Sequence, residues 1–404
     1  MSALAETARP ASDRWRLFVV LAGLYLAQSI PAYLFAAALP PIMRQSGVSR
    51  SAIGLIAILF IPLMLKFLWA PYIDRFRPIA RRHRAGWIII TQTATICCLV
   101  ALAFVDPINI AAVLTIGMAV AILVSTQDIA TDGYATKNLA PEDRGIGNAI
   151  QGGAIAIGVV LGGMLALMLY DRIGWTATVL IVAAVSALPL VAAFAMREHD
   201  PAGPTTPSAR PSILRFLKRP ETREILIIAL VYRASEGLVK SMEGPYLVDR
   251  GVPLDWIGYI SGGGAVTAGV AGSAIAAVLL RQIGNGGVLA LLGGLRTLCF
   301  LLFALHAFGI LTGYVPLFGA ALFQTLIRYM EVVALYSLFM SVSSSDQPGT
   351  DFTVLACAQL IVYLAGSLVA GVLADLMGYG ALFLLATVIS GLAVAVTAKL
   401  LRRQ

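Results

Sequence analysis

The sequence R-A-S-E-G-L-V-K-S-M-E, residues 233–243, places four charged side chains inside an otherwise apolar stretch of helical length. The four charges follow one another at steps of three, four and three residues: Arg233, Glu236, Lys240 and Glu243. An uninterrupted helix would carry all four on one face. A charge at the centre of a membrane-spanning helix costs roughly 2.5–3.5 kcal/mol on insertion scales. We therefore expect this face to meet protein or a water-filled path, and we expect that path to be the site of function.

The whole composition is that of a membrane protein. Of the 404 residues, 59% are hydrophobic and only 12% are charged, and the mean hydropathy is +0.87. Apolar runs of about 20 residues, the length that spans a bilayer as a helix, recur along the chain. Continuous runs of this kind are typical of helices and not of alternating β-barrel strands. The sequence therefore predicts an all-α, multi-pass membrane protein that lies in the lipid bilayer.

The distribution of basic residues predicts the orientation in the membrane. We predict twelve spanning helices, α1–α12, at 17–40, 50–72, 86–105, 110–136, 145–170, 175–196, 222–247, 255–280, 286–307, 312–342, 349–374 and 379–400. Of the 29 Lys and Arg residues, 20 lie at the end of this bundle that carries both termini, and four lie at the opposite end. By the positive-inside rule both termini are cytoplasmic. The formal charge of +8 is thereby explained as a topology signal, and no nucleic-acid partner is predicted.

The chain divides into two similar halves. A polar, Pro-rich linker separates two sets of six helices. The predicted units are an N-terminal bundle at 1–196, the cytoplasmic linker at 197–221 and a C-terminal bundle at 222–404. A shift of 204 residues lays Gly47 on Gly251, and Gly174 on Gly378, at equivalent hairpins. Parallel six-helix repeats resemble the major facilitator fold, with two pseudo-symmetric bundles in one monomer. The resemblance also implies that α5 and α8 meet across the two halves, so Gly158 and Gly162 of α5 and the small-residue run at 262–273 of α8 are predicted to form a sliding surface.

Two motifs resemble known transporter families. The segment P-Y-I-D-R-F-R-P-I-A-R-R-H-R at 71–84 resembles the loop between the second and third helices of the major facilitator superfamily. This resemblance implies that Asp74 is a cytoplasmic latch, which pairs with a basic or helix-end group in one conformation and releases it in the other. The segments T-Q-D-I-A-T-D at 126–132 and E-D-R-G-I-G at 142–147 resemble the AmpG-like branch, which includes muropeptide permeases and acetyl-CoA transporters.

Within that branch the chain resembles the inner-membrane permeases for the siderophores rhizobactin and pyochelin. Residues 151–156, Q-G-G-A-I-A, replace the tyrosine–arginine pair of the muropeptide permeases, and the chain has room for only twelve helices. This resemblance implies import of an iron–siderophore across the bacterial inner membrane by a proton-coupled symporter. Two alternatives stay open: a permease for a muropeptide or other amphipathic metabolite, and drug efflux by proton antiport. A receptor or scaffold is disfavoured, because neither needs an interior with five acids and five bases.

The resemblance also implies that α1, α4, α7 and α10 line a central cavity. Polar side chains on these helices suit a ligand with carboxylate or phenolate oxygens. The candidate substrate-binding residues are Tyr25, Gln28, Tyr33, Gln127, Arg233, Glu236, Lys240, Gln324, Arg328 and Glu331. A second interpretation of α7 is a ladder of ion pairs that satisfy one another and need no ligand. Arg296 on α9 is interpreted as structural, because it snorkels or pairs with a neighbouring helix.

One helical turn of α4 carries two acids, Asp128 and Asp132. Two carboxylates this close in an apolar interior cannot both be comfortably ionised, so one is expected to exchange a proton. The competing interpretation is a structural ion pair or gate with Lys66 on α2. The candidate proton-coupling or gate residues are Asp128, Asp132, Lys66, Asp74 and Glu243. No phosphate-binding loop and no cysteine or histidine cluster with metal-ligand spacing is present, so we predict no enzyme, no cofactor and no metal site.

Overall fold

The computed structural model describes residues 11–198, 210–252, 256 and 264–402. Regular structure within these ranges is helical, apart from one isolated bridge between Ile79 and Arg82 in a turn. This confirms the predicted all-helical fold. The first residues of predicted α8 and linker residues 199–209 lie outside the described ranges.

Most helices run close to their predicted positions. In the N-terminal half, α1 comprises Ala11–Tyr33, a π turn Leu34–Ala38 and Leu39–Gln45; α2 comprises short α and 3₁₀ pieces over 50–75; α3 is His83–Ala103; α4 is Ile110–Asn138; α5 spans 141–173; and α6 spans 175–195. A short helix, Ile213–Lys218, precedes the C-terminal half. There, α7 comprises Pro220–Val231 and Glu236–Asp249; α8 is described over 264–283; α9 spans 285–307; α10 is Tyr314–Val342; and α11 and α12 span 348–377 and 379–401.

Three hairpins turn at single glycines. Gly174, Gly284 and Gly378 interrupt the helical stretches 141–195, 264–307 and 348–401 with φ of 76°, 66° and 77°. The stretch Pro348–Leu401 has 54 residues and would be about 80 Å long if straight, far more than a bilayer core of about 30 Å. The positive φ values favour glycine, because a side chain would be strained there. Among the described residues, seven helical stretches are long and apolar enough to span a membrane, and three of them are these double helices.

The prediction of one continuous α7 at 222–247 is wrong. The helix is interrupted at residues 232–235, so Arg233 lies in the break and Glu236 begins the second segment. The four charges of 233–243 therefore do not share one uninterrupted helical face. The cause is not local proline, since the Pro245 of this helix lies well beyond the break. The break is instead held by partners from other helices.

The repeat of 204 residues also relates contacts inside the two halves. A Cβ on Gly162 of α5 would meet the carbonyl oxygen of Ile30 on α1. A Cβ on Gly366 of α11 would lie 3.2 Å from the carbonyl oxygen of Ala234 in the α7 break. Gly366 lies 204 positions after Gly162, and Ala234 lies 204 positions after Ile30. Glycine allows this close backbone approach, so the two halves place α1 against α5, and α7 against α11, in the same way.

The predicted role of the α5 glycines is wrong in its partner. Gly158 and Gly162 pack against α1 of the same half and not against α8. Contact between α5 and α8 is instead made by Gly145, beside Ala277 and Leu280, and by Gly152, beside Ser273. The close approach between halves therefore lies nearer to the start of α5 than predicted.

The start of α1 and the end of α12, within the described residues, lie at one end of the bundle, which we call the terminal end. Asp143, at the start of α5, accepts a hydrogen bond of 3.0 Å from Arg14 of α1 and lies 3.7 Å from Arg281 at the end of α8. Leu401, near the end of α12, lies beside Gly286, which follows the turn after α8. The Asp143–Arg281 pair joins the two halves at this end.

Candidate functional site

A cavity of about 380 Å³ lies between α1, α2, α4 and α5. It extends from the middle of the bundle toward the end opposite the termini, because its α2 residues come from the first half of that helix. Most of its wall is apolar, and its polar lining residues are Tyr25, Gln28, Ser29, Tyr33, Ser125, Asp128 and Gln151. The cavity thus brings together four of the predicted site residues: Tyr25, Gln28, Tyr33 and Asp128. The predicted residues of α7 and α10 do not line it.

A carboxylate cluster, defined as Lys66, Asp128, Asp132 and Tyr25, lies at the base of this cavity. The ammonium group of Lys66 is paired with Asp128, and it lies 4.0 Å from Oδ2 of Asp132. The hydroxyl group of Tyr25 donates a hydrogen bond of 3.1 Å to Oδ1 of Asp132. With both acids ionised the cluster carries one net negative charge. A single proton would neutralise it, which is a lower-energy state in a poorly solvated interior.

The two acids of this cluster differ in their access to the cavity. Asp128 lines the cavity, and 16% of its side chain is exposed, whereas only 2% of the Asp132 side chain is exposed. Asp128 is therefore the member that a solvent proton can reach first.

The residue before Asp128, Gln127, is fully buried, and neither of its amide atoms has a hydrogen-bond partner among the described residues.

The charges of α7 and α10 meet around Tyr363 of α11. Glu236 is hydrogen-bonded to Arg233, and its Oε1 lies 3.1 Å from Nε of Arg328. The guanidinium carbons of Arg233 and Arg328 lie 5.6 and 5.4 Å from the centre of the Tyr363 ring. We call Arg233, Glu236, Arg328 and Tyr363 the arginine cluster. Tyr363 was not predicted as a site residue, because its sequence neighbours carry no charge that would single it out.

The remaining charged pair of α7 is separate from this cluster. Lys240 donates a hydrogen bond of 2.9 Å to Glu243, three residues later. Of the two side chains, 20% of Lys240 and 3% of Glu243 is exposed. The four charges predicted as one ladder thus form two local pairs. Arg233 and Glu236 pair at the break, and Lys240 and Glu243 pair within the second segment of α7.

Glu331 does not face a cavity, contrary to its predicted role. Both of its carboxylate oxygens accept hydrogen bonds of 2.9 Å from Arg296, and Oε1 also accepts one of 3.0 Å from the hydroxyl of Tyr232. Arg296 further donates to the carbonyl oxygen of Tyr232 at 2.8 Å and to Ser390 at 3.2 Å. We call Arg296, Glu331, Tyr232 and Ser390 the buried network.

The buried network explains the break in α7. The carbonyl of Tyr232 is the first one in the break, and Arg296 satisfies it from α9. Arg296 is 1% exposed and Glu331 is 0% exposed, so the pair has no access to solvent. The sequence did contain a signal for it, because an arginine in an apolar run requires a buried partner.

Six buried glutamines have at least one amide atom without a hydrogen-bond partner among the described residues. They are Gln28, Gln92, Gln127, Gln151, Gln324 and Gln359. Each is at least nine-tenths buried. An unpaired buried amide costs about 1–3 kcal/mol, so such groups are usually satisfied by water or by a ligand. Gln92, Gln151 and Gln359 were not among the predicted site residues, because an isolated glutamine in an apolar run carries no spacing signal.

Asp74 joins the two halves at the terminal end. Its carboxylate accepts hydrogen bonds from Arg84 at 2.7 Å, from the backbone N–H of Thr350 at 2.6 Å and from the Thr350 hydroxyl at 2.7 Å. The N–H of Gly349 lies 3.3 Å from Oδ1. Both N–H groups belong to the first turn of α11, where the helix dipole favours an anion. The structure thus places both predicted kinds of latch partner, a basic group and a helix end, at this aspartate.

Replacing Asp74 by asparagine should open the terminal end more often. Each hydrogen bond to a charged group contributes about 1.5–3 kcal/mol, so losing the charge should lower the closed-to-open ratio by at least tenfold. Spin labels at two exposed positions, Phe194 in the N-terminal half and Leu214 before α7, would report this as a new population at longer distance. Asp106→Asn, at an exposed loop, is the control. An unchanged distance distribution in Asp74→Asn would contradict the latch.

Comparisons with known proteins agree with this architecture. A family model described as the Major Facilitator Superfamily matches residues 18–359. The chain is 24% identical over 374 residues to the anhydromuropeptide permease of Escherichia coli strain K12, a match that covers 90% of this chain and 76% of that protein. It is 22% identical over 397 residues to a protein of Rickettsia felis named putative transporter AmpG 4, covering 93% and 94% of the two chains.

Solved structures with the same fold are found at low identity. The outward conformation of FucP, a Major Facilitator Superfamily transporter, is 16% identical with a TM-score of 0.73, over 96% of this chain and 98% of that one. A bacterial homologue of the iron transporter ferroportin, in an outward-facing state, is 16% identical with a TM-score of 0.72, over 95% and 98%. At this identity the likeness concerns the fold alone.

Proposed function

We propose that this chain, which belongs to the Major Facilitator Superfamily, imports a muropeptide or a chemically similar amphipathic metabolite. Family membership makes it a multi-pass membrane transporter and a secondary transporter, not an enzyme. Transporters of this type expose a central site alternately to the two sides of the membrane. Beyond family membership, we propose the substrate, the coupling ion and the orientation of the protein in the membrane.

The substrate proposal rests on the match to the anhydromuropeptide permease, which covers 90% of this chain. The sequence motifs favour siderophore import, whereas the relatives include an anhydromuropeptide permease and AmpG-named transporters, so we propose the muropeptide alternative in its place. The cavity supports an amphipathic substrate. Its apolar wall includes Leu59, Phe60 and Leu63, and its polar side carries hydroxyl and amide groups that suit sugar and peptide atoms.

The carboxylate cluster supports coupling to protons. A proton arriving from the cavity would pass Asp128, whose side chain is the more exposed of the two acids, and would neutralise the net charge of the cluster. Lys66 lies within 4.0 Å of both carboxylates, so this change in charge would shift its pairing between Asp128 and Asp132. That change of partner would move α2 relative to α4, and α2 also carries the Asp74 latch. Release of the proton to the other side would restore the first pair.

The charge distribution supports an orientation with the terminal end in the cytoplasm of a bacterial cell. Contacts at Asp74, at Asp143 and between Cys357 and the carbonyl of Leu63 join the halves toward that end. The cavity would then face the periplasm, which is the side from which an inner-membrane importer takes its substrate.

Uptake by proteoliposomes tests this proposal. With an imposed proton gradient, alkaline inside, vesicles with the protein should accumulate a labelled anhydromuropeptide well above the level of protein-free vesicles. An uncoupler should reduce the internal concentration to the external one. The same assay with a ferric siderophore tests siderophore import, and the assay with a cationic dye tests drug efflux. Accumulation of the siderophore without the muropeptide, or proton-driven expulsion of the dye, would overturn the proposal.

A further inference from the structure

Arg328 differs from the two buried arginines of the C-terminal half, Arg233 and Arg296. Arg233 and Arg296 are hydrogen-bonded to acids, and 9% and 1% of their side chains are exposed. Arg328 is 34% exposed at its side chain, and its Nε lies 3.1 Å from Oε1 of Glu236. In the described part of the chain, its two terminal nitrogens make no hydrogen bond. They form the edge of the guanidinium that binds a carboxylate through two parallel bonds.

Glu236 is held independently of Arg328. Its other oxygen is hydrogen-bonded to Arg233, which lies in the α7 break. If Arg328 moved to another anion, Glu236 would therefore keep one charged partner. This matters because a buried charge without any partner costs several kcal/mol. The pair Arg328–Glu236 can thus be exchanged at a lower cost than Arg296–Glu331, in which Glu331 has no second cation within hydrogen-bond distance among the residues that the structure describes.

The ring of Tyr363 fixes the orientation of Arg328. Its guanidinium carbon lies 5.4 Å from the ring centre, within the range of a cation–π contact. Such a contact restricts the guanidinium before any ligand binds, which lowers the entropy cost of binding.

Two buried glutamines lie one helical turn before members of the arginine cluster. Gln324 precedes Arg328 by one helical turn on α10, and Gln359 precedes Tyr363 by one turn on α11, so each shares a helix face with a member of the arginine cluster. Gln324 is 1% exposed and Gln359 is 3% exposed, and neither amide oxygen has a hydrogen-bond partner among the described residues. Amide groups on these helix faces suit a carboxylate that is attached to a peptide or acetamido group.

We infer that Arg328 forms a carboxylate subsite and that Glu236 is its exchangeable partner. The ligand would carry a free carboxylate next to amide groups, as a peptide C-terminus does. Its carboxylate would bind the terminal nitrogens of Arg328, and Glu236 would remain paired with Arg233. This inference rests on the proposed function and makes it more specific, since it states which substrate group is recognised and by which residue.

Binding of acid and amide forms of one ligand tests the subsite. The first probe is a labelled anhydromuropeptide with free peptide carboxylates, compared with the same molecule amidated at those positions. The wild-type protein should bind the acid at least tenfold more tightly than the amide. Arg328→Gln should remove this preference by weakening acid binding alone, and Arg328→Lys should restore part of it. Arg172→Gln, at an exposed arginine of α5, is the matched control and should leave both affinities unchanged.

The second probe separates the subsite from the proposed substrate. N-acetyl-dialanine and its C-terminal amide, at millimolar concentration, carry the same groups without the sugars. The acid should stabilise the wild-type protein thermally more than the amide does, and Glu236→Gln should enlarge this difference because the internal competitor is neutral. If the dipeptide acid binds through Arg328 and the muropeptide does not bind, the subsite stands and the proposed substrate fails. If the muropeptide acid and amide bind equally, or if Arg328→Gln keeps the preference for acids, the subsite is overturned.

Discussion

Asp132→Asn should abolish accumulation of substrate against a gradient while substrate exchange down a gradient continues. The substitution keeps the size of the side chain and its contact with the Tyr25 hydroxyl. It leaves Lys66 and Asp128 as a neutral pair, so the carboxylate cluster no longer has a net charge that a proton would neutralise. Lys66 also loses the second carboxylate to which it would move. We expect proton-driven uptake to fall by at least 100-fold, which corresponds to about 2.7 kcal/mol.

Two assays on the same vesicles measure this effect. Uptake driven by a proton gradient reports coupling, and counterflow with substrate on both sides reports the movement of the loaded carrier. Asp171→Asn, at an exposed acid of α5, is the control and should behave as wild type in both assays. Equal loss of uptake and counterflow, together with a lower amount of folded protein, would favour the structural interpretation of the Lys66 pair. Normal uptake in Asp132→Asn would remove Asp132 from the coupling mechanism.

The fold was predictable because its signals are local. Spans of about 20 apolar residues and the recurrence of glycines after 204 positions can be read without knowing which helices touch. Gly174 and Gly378 lie at hairpins with φ of 76° and 77°, as their matched positions indicate. The break in α7 was not predictable, since it depends on a hydrogen bond from Arg296, which lies 64 residues away from Tyr232.

The assignment of charges to partners was less predictable than the charges themselves. Spacing along one helix shows that Arg328 and Glu331 are three residues apart, and it indicated a shared role for them. In the structure they have different partners, because Glu331 points to Arg296 of α9 and Arg328 approaches Glu236 of α7. A helix turns by about 100° per residue, so three residues still leave an angle of roughly 60° between two side chains. That angle is enough to separate the buried Arg296–Glu331 pair from the more exposed Arg328.

Arg296→Ala should destabilise the protein strongly, and by more than Asp132→Asn does. Removing one partner of a buried ion pair costs about 3–5 kcal/mol, since the other charge is left unpaired. In this case Glu331 would keep only the hydroxyl of Tyr232, and the carbonyl of Tyr232 would lose its donor from Arg296. We expect a large drop in the amount of folded protein and in its thermal midpoint. Arg172→Ala, which removes an exposed arginine, should change neither.

The double variant Arg296→Met, Glu331→Leu separates the ion pair from the support of the α7 break. Because it leaves no unpaired charge, it should recover much of the stability that Arg296→Ala loses. Its transport per folded molecule should nevertheless stay low, since the Tyr232 carbonyl still lacks the donor that holds the break next to Arg233 and Glu236. Thermal unfolding followed by size-exclusion chromatography gives the stability, and uptake normalised to folded protein gives the activity. Full recovery of transport in the double variant would show that the buried network stabilises the fold without positioning the arginine cluster.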